Sequence, residues 1–217
     1  MTISVLIADD HAIVRDGLRL LLETQPDIQV VGEAANGREA FQKVRKLRPD
    51  IVLMDIAMPE LNGIDATREI IAVSPATRVI VLSMHTSREH IYRALQAGAA
   101  AYLLKESAGN EVLQTLRIVK AGHRCLSQQL TDLMLDDMSR LHDFREYEDP
   151  LACLSIRERE VLQLMVEGNN SPEIAERLFI SVKTVETYRS RMMQKLGIHD
   201  VPGLVKLAIQ YGLTSIK

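Results

Sequence analysis

The chain alternates short apolar runs with stretches whose apolar positions recur every three or four residues. Residues 3–8 (Ile-Ser-Val-Leu-Ile-Ala) have the make-up of a buried strand and stop on Asp9-Asp10. Over residues 12–24, Ile13, Val14, Leu18, Leu21 and Leu22 fall at helical spacing. The alternation continues, predicting strands at 28–32, 51–54, 78–83 and 101–104 and helices at 36–47, 63–73, 87–97 and 107–121. Runs such as Val79-Ile80-Val81-Leu82 fit strands covered on both faces. Five strands alternating with five helices predict a doubly wound α/β fold with a five-stranded parallel sheet.

Beyond residue 122 no further strand is expected. Leu130, Leu133, Met134, Met138 and Leu141 predict an amphipathic linker helix over 127–142, followed by a polar tether to Pro150. Residues 123–150 carry seven acidic side chains against three Arg. The rest is a set of capped helices. Ser155 and Glu158 form a capping box, Gly168-Asn169-Asn170 ends that helix, and Ser171-Pro172 opens a short one reaching Leu178. Only Phe179-Ile180-Ser181 separates it from a longer helix over 182–196, stopped by Gly197, and Asp200 opens the last. A short helix, tight turn and longer helix are the helix-turn-helix arrangement. The expected division is 1–122, a linker at 123–150, and a small all-α domain at 151–217.

The net charge of -3 is unevenly spread, because residues 151–217 hold nine basic and seven acidic side chains and the remainder is acidic. That split favours two units with different partners. No apolar run reaches membrane-spanning length and the start lacks a signal-peptide pattern, so neither a span nor an export signal is expected. Cys125 and Cys153 fit no metal-ligand spacing and read as idle thiols in a reducing cytoplasm.

In a doubly wound sheet, ligands sit beyond the carboxyl ends of the strands. The residues there are Asp9 and Asp10 after the first strand, Asp55 after the third, Ser83 after the fourth and Lys105 after the fifth. Three carboxylates suit Mg²⁺, and Lys105 supplies a point charge for a phosphate. Asp55 is the candidate nucleophile towards phosphorus. A Gly-rich phosphate loop is absent after the first strand. A phosphohydrolase of the haloacid-dehalogenase type would need a second Asp where Ala57 stands, so turnover of external substrates is not expected. His11, His85 and His90 lie near this rim without helical pairing and read as solvated or hydrogen-bonded. Any one rim residue could merely cap its strand; the set together points to chemistry.

These residues, with Met58-Pro59, Asn62-Gly63 and Tyr102, resemble the receiver domain of two-component response regulators, a flavodoxin-like fold. The resemblance implies that Asp55 takes a phosphoryl group from the phosphohistidine of a sensor histidine kinase. It implies Mg²⁺ held by Asp10, Asp55 and the Ala57 carbonyl, with Asp9 supporting through water. Ser83 and Tyr102 become a switch pair, Ser83 bonding a phosphoryl oxygen and vacating space into which Tyr102 turns. Glu106 follows Lys105 where many receivers carry Pro.

Placed on a wheel, residues 182–196 put Val185, Met192 and Leu196 on one side. Lys183, Glu186, Thr187, Ser190 and Gln194 lie opposite, with Arg191 beside them. Short polar tips flanked by cations suit a major groove. Residues 154–197, including Leu154-Ser155, Glu173-Ile174-Ala175, Ser181-Val182-Lys183-Thr184-Val185 and Lys195-Leu196, resemble the LuxR-type helix-turn-helix. Tyr188 stands where His is frequent. That resemblance implies Lys183, Thr184 and Arg191 on phosphates, and Glu186, Thr187 and Ser190 on bases of double-stranded promoter DNA. The last helix is apolar around most of its circumference and predicts a homodimer.

Together the two modules resemble NarL/FixJ-family response regulators. The implied activity is phosphorylation-controlled transcription regulation in the cytoplasm, with RNA polymerase a further expected partner. A DNA-binding protein with an inert receiver scaffold would instead bind indifferently to phosphodonor. An aspartyl-phosphate hydrolase would turn over an external phosphoester.

Overall fold

A computed structural model describes residues 2–84, 87–126, 131 and 149–214. The first domain runs β1 (Ile3–Ala8), α1 (Ala12–Glu23), β2 (Ile28–Ala34), α2 (Gly37–Leu47), β3 (Ile51–Asp55), α3 (Gly63–Val73), β4 (Arg78–Ser83), α4 (Arg88–Gln96), β5 (Ala101–Leu104), a 3-10 turn over Lys105–Ser107, α5 (Ala108–Lys120) and β6 (Cys125–Leu126). The sheet order is β2-β1-β3-β4-β5-β6 and every pairing is parallel.

The sheet has six strands where five were expected. β6 is two residues pairing Cys125 with Ala101 and Leu126 with Tyr102, too short to leave a pattern in the sequence. It lies inside the stretch expected to be linker. Apart from residue 131, the expected linker helix over 127–142 lies outside the described residues. The other strands and helices fall within about two residues of their expected ends, the margin by which helix boundaries ordinarily differ.

Two apolar layers cover the sheet. Leu6, Val52, Met54, Val79 and Val81 face one side with Ile64, Ile70 and Ile91 of α3 and α4. Val5, Ile7, Leu53, Ile80 and Leu82 face the other with Leu18, Leu22, Val112 and Leu116 of α1 and α5. β3 is central and all five of its residues are buried, which places Asp55 at the end of the most enclosed strand. Gly63 lets α3 start close against that end, since a Cβ there would lie 1.8 Å from the Asp55 carbonyl oxygen.

The second domain contains α6 (Ile156–Val166), α7 (Ser171–Leu178), α8 (Val182–Leu196) and α9 (Val201–Gln210). Its core gathers Leu151, Leu154, Val161, Leu162, Ile174, Val185, Met192 and Leu204. The Ser155–Glu158 capping box forms as expected, and Asn170 with Glu173 forms a second one. Among the described residues no helix is long and apolar enough to cross a membrane.

Gly63→Ala separates two effects of opposite sign. Helix propensity alone would gain up to about 1 kcal/mol, but overpacking against backbone costs about 1–3 kcal/mol. Urea unfolding should therefore show net destabilisation; equal or greater stability would contradict the close approach of α3 to β3.

Candidate functional site

The rim at the carboxyl ends of β1, β3, β4 and β5 collects the expected residues. Parallel register aligns the strand ends: Ala8 pairs with Met54, Asp55 with Leu82, and Ser83 with Leu104. Asp9, Asp55 and Ser83 are buried and Asp10 is half-buried. Lys105 Nζ lies 2.7 Å from Asp9 Oδ2 and 2.9 Å from Asp55 Oδ2, so one ammonium bridges two carboxylates. The Ile56 N–H donates to Asp55 Oδ1 at 2.8 Å. Arg15 donates to the Asp9 carbonyl at 2.8 Å and anchors the start of the loop.

Burial drives the electrostatics. It pushes the Asp55 carboxyl up to about 6, with Lys105 opposing the shift and Asp9 adding to it. Burial also works against the Lys105 ammonium, but Asp55 and Asp9 outweigh it and raise the Lys105 pKa. The enclosed charges are one cation against two carboxylates, with Asp10 beside them.

Ligand atoms of Asp9, Asp10, His11 and Asp55 all lie within 4.8 Å of one another. Clustered carboxylate oxygens of this kind fit a hard divalent cation. His11, read from the sequence as solvated or hydrogen-bonded, has its Nδ1 2.7 Å from Asp10 Oδ1 and 3.2 Å from Asp9 Oδ1. Ala57, the expected carbonyl ligand, lines a cleft with Asp10. His85 lies outside the described residues.

Tyr102 is fully buried and hydrogen-bonded to Ser83; burial raises its pKa, with the Ser83 bond opposing. The phenol is turned inward, beside Ser83.

On α8, Val185 and Met192 point into the core while Lys183, Glu186, Thr187, Ser190 and Arg191 are exposed and Thr184 is half-buried. Ser181 caps the helix by accepting from the Thr184 N–H at 3.1 Å. Ser181, Lys183, Thr184, Thr187, Tyr188 and Arg191 share one shallow cleft. Glu186 is differently placed, held by the Ser171 hydroxyl and by Arg189 at 3.2 Å. On α9, Val201, Pro202, Val205 and Ile209 line an open apolar groove, while Leu204 and Ala208 pack inward.

Sequence reasoning missed the residues that join the two domains. The cleft over the rim has Asp10, Ala57 and Met58 on one wall and Glu167, Asn169 and Arg177 on the other. Gln163 is 1% exposed, and Arg159 reaches Asp65 of α3 at 2.8 Å. Arg93 of α4 is buried on Asp149 at 3.0 Å and on the Tyr211 carbonyl. In sequence these polar positions look like an ordinary solvated helix face.

Two family models match parts of the chain. Residues 5–117 match the response regulator receiver domain, and residues 152–208 match the luxR family of bacterial regulatory proteins. The chain is 42% identical over 209 residues to the transcriptional regulatory protein YhcZ of Bacillus subtilis, covering 96% of each chain. It is 39% identical to the oxygen regulatory protein NreC of Staphylococcus aureus, covering 95% of this chain and 96% of that one. Among solved structures, two RcsB dimers bound to two parallel DNAs share 28% identity at a TM-score of 0.58, over 97% of this chain and 99% of that one. The chain thus belongs to the two-component response regulators that join a receiver domain to a LuxR-type helix-turn-helix DNA-binding domain.

Proposed function

We propose that Asp55 is the phosphoacceptor through which a sensor histidine kinase controls DNA binding by α8. The observation that carries this reading is the convergence of Asp55, Asp9, Asp10 and Lys105 on one buried rim. In the transfer, an Asp55 carboxylate oxygen bonds to phosphorus as the P–N bond of a phosphohistidine protonated on its other ring nitrogen breaks, and neutral imidazole leaves with that proton. Asp10, Asp55 and the Ala57 carbonyl would hold Mg²⁺, with Asp9 supporting through water, and the ion would offset charge on the phosphoryl oxygens. Lys105, already 2.9 Å from Asp55, is placed to move from a carboxylate oxygen to a phosphoryl oxygen. Ser83 would exchange its Tyr102 partner for a phosphoryl oxygen, so the Ser83–Tyr102 bond is what phosphorylation alters.

Ala57 supplies no carboxyl to activate water, and the residues fit storage of one phosphoryl group rather than turnover of an outside substrate. The output is promoter DNA bound in the cytoplasm, with RNA polymerase the partner next in line. Lys183, Thr184 and Arg191 serve phosphates; Thr187 and Ser190 serve base edges. Glu186 joins the base readers only by releasing Ser171 and Arg189. The α9 groove fits a second copy of the chain, which predicts an inverted-repeat site.

Three outcomes test this. In a gel-shift series on operator DNA, phosphodonor should strengthen binding by wild type and leave Asp55→Ala unchanged. Donor-stimulated binding by Asp55→Ala would remove Asp55 as the control point.

Second, a carboxyl whose folded pKa lies above its unfolded value favours the folded state in its protonated form. The Asp55 contribution should therefore decline as pH rises from about 4 to 6 and stay low above that. Without Mg²⁺, Asp55→Asn should be stabilised relative to wild type at pH 7.5 by on the order of 2 kcal/mol, with the gap narrowing at pH 4.5. Thermal melts showing no gap at pH 7.5 would refute the buried, strained carboxylate.

Third, Lys183→Ala should weaken binding evenly across DNA sequences and lower the salt slope by about 1. A sequence-selective loss would place Lys183 on a base instead.

A further inference from the structure

His11 follows Asp9 and Asp10 directly and stands at the N-cap of α1. A side chain there ordinarily accepts a hydrogen bond from the first turn, the work of Ser, Thr, Asp or Asn. Among the described residues, the His11 side chain makes no such bond to the helix. Its ring turns to the rim instead, with Nδ1 2.7 Å from Asp10 Oδ1 and 3.2 Å from Asp9 Oδ1. The His11 backbone N–H also donates to Asp9 Oδ1 at 2.9 Å, which fixes the chain where the ring leaves it. Helix capping gives no reason for a histidine here; the acid cluster does.

Lys105 and His11 use different atoms of that cluster. Lys105 holds the Oδ2 atoms of Asp9 and Asp55, while His11 addresses the Oδ1 atoms of Asp9 and Asp10. Ligand atoms of Asp9, Asp10, His11 and Asp55 all lie within 4.8 Å of one another. In an octahedron with bonds of about 2.1 Å, neighbouring donors stand about 3.0 Å apart and opposite donors about 4.2 Å. The two His11 distances fall either side of the neighbouring value, so Nδ1 and an Asp10 oxygen fit adjacent corners of one shell. The His11 side chain is 59% exposed beside a buried Asp9, which sets the nitrogen on the solvent side of the cluster.

Resting on the metal site proposed above, we propose that His11 is a further metal ligand at this rim through Nδ1, and that the rim therefore takes a first-row transition ion more tightly than Mg²⁺. For Nδ1 to bond the ion, the neutral ring carries its proton on Nε2. The nitrogen takes a corner that Asp10, Asp55 and the Ala57 carbonyl leave to water. Oxygen ligands serve both kinds of ion, whereas imidazole suits transition ions and Mg²⁺ keeps to oxygen and water. Discrimination between the two then falls to His11. Mn²⁺ stands lowest in the usual order of divalent affinities, so it is the most demanding transition-ion probe of this preference.

Mn²⁺ and Mg²⁺ binding to the full chain tests the proposal. Electron spin-echo modulation of bound Mn²⁺ should show a directly bonded ring nitrogen in wild type, altered by isotope labelling of histidine nitrogen and lost in His11→Ser. Serine supplies the hydroxyl that a helix start favours, so this variant should fold. His11→Gln, which also lacks a ring nitrogen, serves if the serine variant folds poorly, with the same expected results. In titrations wild type should bind Mn²⁺ roughly tenfold more tightly than Mg²⁺, and His11→Ser should lose about tenfold in Mn²⁺ affinity but less than about twofold in Mg²⁺ affinity. Bound Mn²⁺ without nitrogen coupling in wild type would overturn the role of His11 alone. So would equal losses for the two ions, the mark of a histidine that only orients Asp10. Failure of wild type to bind either ion would instead remove the metal site proposed above, and His11 with it.

Discussion

One ammonium shared between two enclosed carboxylates sets the terms for the rest of this molecule. Lys105 spans Asp9 and Asp55, both of them buried, and burial makes the charged form of the Asp55 carboxyl costly. That cost appears as a raised Asp55 pKa, with Lys105 opposing the shift and Asp9 adding to it. The carboxylate oxygens gathered there suit a divalent cation. The fold places Asp55 there by ending its most buried strand on it.

Much of this was legible from residue order. Continuous apolar runs gave the buried strands, their alternation with helices gave a parallel sheet, and the strand ends then named Asp9, Asp10, Asp55, Ser83 and Lys105. Local signals at Ser155, Ser171-Pro172 and Asp200 marked the helices of the second domain, although the cap of the short helix is Asn170, one residue before the Ser171 expected. These signals are short-range, or follow from a general rule of sheet topology. β6 escaped because two residues carry no periodicity. Gln163, Arg159 and Arg93 escaped because their partners lie about 60 to 120 residues away in sequence. A polar residue that will be buried against another domain is indistinguishable, in one sequence, from one that faces water. The inward placement of Tyr102 and the hold on Glu186 likewise depend on packing that spacing does not encode.

The arrangement separates two kinds of control that are easily conflated. Lys183, Thr187, Ser190 and Arg191 on α8 are exposed, so the receiver does not cover them. What faces the second domain is the rim with Asp10 and Ala57. On the reading proposed above, regulation acts through pairing of two chains, each offering one α8 to one half-site, and pairing multiplies modest affinities.

The most direct measurement is the oligomeric state of the full chain by sedimentation velocity, with Mg²⁺ alone and with beryllofluoride plus Mg²⁺. A shift from monomer to dimer on adding beryllofluoride, absent in Asp55→Asn, is the result expected. A chain whose sedimentation is the same in both conditions, with beryllofluoride shown to be bound, would contradict the claim that Asp55 governs assembly.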